Sequence, residues 1–106
     1  MIRIYPSALP AQTFYVVLDG QYCTMSLYQK SERLYMDLAV GASDVFKGAI
    51  CLNGADIVQS PSTSFSGSLH FFDRRGNSPP HWSGLADRFM LIYVGNDEEL
   101  PAAFKF

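Results

Sequence analysis

"TFYVVLDGQYCTMSLYQ", residues 13–29, decides the fold: two runs rich in β-branched and aromatic residues flank the pair Asp19-Gly20. Asp-Gly supplies the positive φ angles of a tight two-residue turn, so residues 12–29 are predicted to form an antiparallel hairpin. Side chains alternate between the faces of a strand. Phe14, Val16 and Leu18 therefore point one way and Tyr15 and Val17 the other, while Cys23, Met25 and Leu27 oppose Tyr22, Thr24, Ser26 and Tyr28. Apolar residues fall on both faces, yet 106 residues supply only one core. Something must cover the second face.

Outward from the hairpin, turn chemistry recurs every eight to twelve residues. "KSER" leads into "LYMDLAV" (34–40), a clean period of two. Past Gly41, "DVFKGAICLNGADIV" predicts strands over 44–52 and 56–59 around an Asn53-Gly54 turn, with a bulge at Gly48. "QSPSTSFSG" (59–67) reads as a mobile surface loop. "SLHFFD" resumes a strand, "RRGNSPPHWSG" is a second long loop, and "LADRFMLIYV" (85–94) closes as the last strand. Pro6 and Pro10 make residues 1–11 an extended arm in which "IRIY" can add an edge strand, and residues 95–106 form a tail. The expectation is all-β: one domain over residues 1–106, a small barrel or sandwich of short antiparallel strands with no helix of three turns.

Charged residues make up 17% of the chain, against about 25% in typical soluble proteins, and hydrophobic residues 48%. Little of the surface is left for solvated charge. A net charge of −2 with scattered basic residues argues against direct nucleic acid recognition. The N-terminus shows no secretory signal, and no apolar run reaches the roughly 18 residues of a membrane span, so neither export nor a membrane role is expected. Cys23 and Cys51 are too far apart for a CxxC motif and are expected to be buried free thiols.

No constellation demands catalysis. His70, between Leu69 and Phe71, reads as a half-buried, hydrogen-bonded histidine, and His81 beside Trp82 as part of a proline-stiffened loop. Asp37, Asp44, Asp56, Asp73 and Asp87 stand singly near strand ends, where carboxylates commonly accept backbone N–H groups. The serines of 60–68 lack a nucleophile elbow. No catalytic residue, cofactor or metal is therefore expected. The surface feature that most resembles a partner interface is "FFDRRGNSPPHW", with Arg74, Arg75, His81 and Trp82, since Arg and Trp are frequent interface hot spots; an ordinary hairpin loop turned by Asp73 and Gly76 is the equal alternative. Tyr15 and Tyr22 on the outer hairpin face, and Phe104 and Phe106 in "AAFKF", complete the candidate interface.

The segments "FYVVLDGQYCTMSLYQKSERLYMDL", "DVFKGAICLNGADIV", "GSLHFFD" and "LADRFMLIYV", in this order over residues 12–94, resemble the small baseplate plug proteins of contractile-tailed bacteriophages, the cyanophage baseplate plug family. The likeness rests on the Leu18–Gln21 turn, on Gly54 before Asp56-Ile57-Val58, and on the closing Leu91-Ile92-Tyr93-Val94. Tyr35 stands where the family tends to place a Trp, and "QSPSTSFSG" is longer than its counterpart. The resemblance implies a virion structural protein, made in the host cytoplasm and placed in the tail baseplate, that closes the tail tube until injection. Its partners would be the hub, spike and tail tube proteins, with a homo-oligomer about the tail axis. The rival expectation is a small cytoplasmic β-domain that binds a small molecule or a peptide in a concave apolar pocket.

Overall fold

The computed structural model describes residues 1–58 and 65–95. Its strands are β1 (Ile2–Ile4), β2 (Ala11–Leu18), β3 (Gln21–Lys30), β4 (Arg33–Val40), β5 (Ser43–Ile50), β6 (Ser68–Asp73) and β7 (Phe89–Val94), with one 3-10 turn at Trp82–Gly84. They form two antiparallel sheets, ordered β2-β3-β4-β5 and β1-β7-β6. The fold is all-β as expected. Among the described residues the sheets do not join into a closed barrel.

The first sheet follows from its turns. Leu18 pairs with Gln21, and Asp19 (φ 49°) and Gly20 (φ 75°) both take the left-handed backbone of a two-residue hairpin turn. Each later turn also takes two residues, Ser31-Glu32 between Lys30 and Arg33 and Gly41-Ala42 between Val40 and Ser43. Alternation then fixes the faces. Leu18, Cys23, Met25, Leu27, Leu34, Met36 and Leu38 are buried together with Ile4, Leu69, Phe71, Leu91 and Tyr93 of the other sheet, so the two sheets share one core. Burying each such side chain is worth roughly 1.5–3 kcal/mol, which makes this shared layer the main favourable term of the fold.

Gly48 does mark a bulge: the register slips between Met36 and Leu38, and Gly48 (φ 69°) donates its N–H to Asp37 Oδ1 at 2.7 Å. A second slip follows between Leu38 and Ala39. Beyond β5 the expectations need correction. The strand predicted to 52 ends at Ile50, and of the strand predicted over 56–59 the described residues 56–58 form none, residue 59 lying outside the described residues. Instead Asn53 and Asp56 make single bridges to Phe71 and His70, because the chain crosses here from one sheet to the other.

The last strand begins at Phe89, not Leu85, since Leu85 caps the 3-10 turn and is buried there. Of the predicted mobile loop 59–67, only residues 65–67 are described, and they are anchored: Phe65 is buried and packs edge-on against Tyr93 at 5.7 Å. A lone aromatic in a Ser-rich stretch found the core. Phe72, Ile92 and Val94 form a separate apolar cluster, since alternation turns them to the opposite side of β6 and β7 from Phe71, Leu91 and Tyr93.

Candidate interaction surface

The second face of the hairpin is the outer face of the four-stranded sheet. Tyr15 and Tyr22 are 81% and 74% exposed there, and Val17, paired with Tyr22, is 54% exposed. Among the described residues nothing covers this end of the face. With Val16, Cys23, Thr24 and Gly41 these three line a shallow depression of about 400 Å³.

Towards the other end the outer face is stitched by polar contacts. The hydroxyls of Thr13 and Ser26 lie 2.9 Å apart. Tyr28 stacks on Tyr35 with centroids 6.0 Å apart, and Lys30 Nζ lies 5.5 and 5.9 Å from the two ring centroids. The Tyr28 hydroxyl donates to Asp37 Oδ1 at 2.8 Å, a bond that pushes this phenol above its ordinary value. The face is thus apolar and open near the Asp19-Gly20 turn, and polar and self-satisfied at the opposite end.

That turn is tied to the other sheet by an interaction sequence reasoning missed. Buried Tyr93 places its hydroxyl 3.0 Å from Asp19 Oδ2 and 2.7 Å from the Ser66 carbonyl. Gln21 bridges the same site, accepting from Ser66 N at 2.8 Å and donating to the Leu18 and Ser66 carbonyls. Burial, then the Asp19 carboxylate, pushes the Tyr93 phenol up to about 12. These bonds hold the open tyrosine end rigidly against the core.

The loop between β6 and β7 is organised around a hidden carboxylate. Asp73 takes Arg88 in a two-pronged ion pair, Nε to Oδ1 at 2.8 Å and Nη2 to Oδ2 at 2.7 Å, and also accepts the backbone N–H groups of Arg75 and Ser78. The Arg88 guanidinium holds Asp73 well below the usual carboxylate range. Arg75 pairs with Asp87 at 3.1 Å, and Arg74 donates to the Asp87 carbonyl at 3.1 Å. His81 caps the 3-10 turn by accepting from Ser83 N, while half-buried Trp82 packs against the main core and donates its backbone N–H to Gln29.

The family model described as cyanophage baseplate Pam3 plug gp18 matches residues 1–97. The chain belongs to this family. It is a structural component of the phage tail baseplate, associated there with other baseplate and tail components. No curated protein matches the chain.

In this baseplate protein the structure brings Tyr15 and Tyr22 together on one surface but leaves the loop candidates elsewhere. Trp82 meets the hairpin at Gln29, seven residues along β3 from Tyr22, or about 23 Å at roughly 3.3 Å per residue. Arg74, Arg75 and His81 are exposed, and each is engaged by a partner within its own loop. Phe104 and Phe106 lie outside the described residues. His70 is half-buried, with ring nitrogens 3.0 Å from the Gly54 carbonyl and 2.9 Å from Ser68 Oγ. Asp37, Asp56, Asp73 and Asp87 accept backbone N–H groups as expected, whereas Asp44 pairs with Lys47 at 3.6 Å. Cys23 and Cys51 are buried free thiols, and burial pushes Cys51 up to about 12.

Proposed function

We propose that this baseplate protein closes the tail tube before genome ejection, with the open tyrosine end of the four-stranded sheet as its main contact surface. The observation that supports this reading is the exposed Tyr15, Val17 and Tyr22 patch, held rigid by the Tyr93, Asp19 and Gln21 bonds, in a chain of a baseplate plug family. Tyrosines suit a releasable closure: each buries a large ring at low entropic cost and keeps a hydroxyl for a polar partner. Contacts of that kind hold without creating one obligate apolar core. The partners in this reading are the hub, spike and tail tube proteins, and the sheets form a two-layer sandwich that presents one face to them. The Arg74, Arg75, His81 and Trp82 loop is a second, subordinate contact.

Mass spectrometry of purified intact virions and of particles whose tails have contracted and emptied tests it. The chain should be present in the first and depleted in the second. Equal amounts in both would contradict an expelled plug, and absence from both would return the rival small-molecule or peptide-binding domain.

A further inference from the structure

We propose that the free edge of β2 pairs antiparallel with β2 of a second copy of this chain, about a two-fold axis perpendicular to the sheet. Among the described residues the two sheets end in four edge strands, β1, β6, β2 and β5. Exposed edges invite pairing, and proteins usually blunt them. Three are blunted here. β1 has three residues and is soon followed by Pro6, β6 is crossed by the bridges from Asn53 and Asp56, and β5 carries two register slips, left-handed Gly48 and the exposed Lys47. β2 is blunted by none of these: Pro10 precedes it but is turned in to β3 through the Gln29 N–H, its eight residues, AQTFYVVL, hold no proline and no charge, and its register with β3 is unbroken.

Among the described residues no strand pairs with that edge. A two-residue hairpin closing on Leu18 and Gln21 makes those residues, and every second pair before them, the hydrogen-bonded ones, and the Gln29 N to Pro10 O bond at 2.8 Å continues the same alternation. The N–H and C=O groups of Thr13, Tyr15 and Val17 therefore point away from β3. A row of alternating donors and acceptors accepts one kind of occupant, an extended strand. Because the other three edges are blunted, a second copy can offer only its own β2, so the contact is self-complementary and closes as a pair. Nothing charged on β2 opposes this. Pairing also covers the inner-facing Phe14 and Val16, which stay half-buried at the edge of the core in a single copy.

The product is one continuous sheet of eight strands, roughly 34 Å across at about 4.8 Å per strand. It carries Tyr15, Val17 and Tyr22 of both copies on a single face, with the two-fold through its centre. Placing that face across the tail axis rests on the plug reading; the pairing itself does not. Sedimentation velocity of the purified full-length chain over a range of concentrations tests the pairing. A dimer is expected, and Tyr15→Lys, which sets like charges together at the two-fold, should weaken it by roughly tenfold or more. Thr13→Pro, which removes one outward N–H and leaves the β2–β3 ladder intact, should weaken it as well, with circular dichroism unchanged. A chain that stays monomeric, forms a different oligomer, or dimerises equally well with both substitutions overturns the proposal, as does photo-crosslinking from position 15 in intact tails to a different protein. A monomer still found in intact tails and lost on ejection would sink the pairing alone, whereas a dimer absent from tails would sink only the plug reading.

Discussion

Tyr93 is the residue on which the two sheets most visibly depend. Its ring lies in the core and its hydroxyl reaches Asp19 and Ser66 across the gap between the sheets. Tyr93→Phe leaves those groups short of a donor, and should cost about 1–3 kcal/mol, or a melting temperature lower by roughly 4–8 °C per kcal/mol in a chain of this size. A melt unchanged within error would show that water replaces the hydroxyl. The same phenol sets an alkaline limit. Its folded pKa, about 12, lies above the ordinary value of 10.0, so its stabilisation is complete below about pH 10 and is lost as pH rises towards 12. Denaturant titrations at a series of pH values should show that decline in the native chain and a shallower one in Tyr93→Phe. Asp73 has the opposite sign. Arg88 depresses its pKa, so the stabilisation is present at neutral pH and falls away as acid takes the solution below the usual carboxylate value of 3.8. Asp73→Asn should lower neutral stability by about 1–3 kcal/mol and flatten the acid limb, as urea melts at pH 7 and pH 3 would show. Asp73 as an acceptor of backbone N–H groups was legible in the sequence, but its pairing with Arg88 and the Tyr93 bonds were not. Asp19 and Tyr93 stand 74 positions apart, and no local pattern announces a bond over that separation.

At the scale of elements, the sequence was informative where a local rule and the tertiary fold agree. The Asp19-Gly20 turn, the alternation through β3 and β4, and the bulge at Gly48 all follow from residues near one another in the chain. Gly20→Val forces a β-branched side chain into φ 75°, and should cost about 1–3 kcal/mol, lowering the yield of folded protein and its melting temperature. Its space is open, so strain alone would act. A full yield with an unchanged melt would show that the turn relaxes without cost. Residues 51–58 were misread for a physical reason. Asn53-Gly54 is good hairpin chemistry, yet the segment serves as a crossing: Gly54 donates to Phe71 O and Asn53 Oδ1 accepts from Asp73 N, so the turn residues bind β6 and its end rather than joining two paired strands. Phe65 was lost in a run of serines in the same way, because a single buried aromatic leaves no periodic trace.

At the scale of the whole molecule, the apolar second face visible in the hairpin is, among the described residues, an exposed surface and not a second core. Tyr15 and Tyr22 could be named from alternation alone, whereas the engagement of Arg74, Arg75 and Trp82 within the protein depends on Asp87 and Gln29, which only the folded chain brings near. Replacing both exposed tyrosines by Ser should move stability by no more than about 0.5 kcal/mol per site, since neither ring is buried, while particles carrying the variant lose chain from their tails or release DNA early. A large drop in thermal stability would instead make the tyrosines structural. The most direct test of tube closure is a cryo-electron microscopy reconstruction of the baseplate in intact, uncontracted virions. Density for this chain should cross the tail axis with the Tyr15 and Tyr22 face spanning the lumen, and an unobstructed lumen with the chain at the baseplate periphery would contradict it.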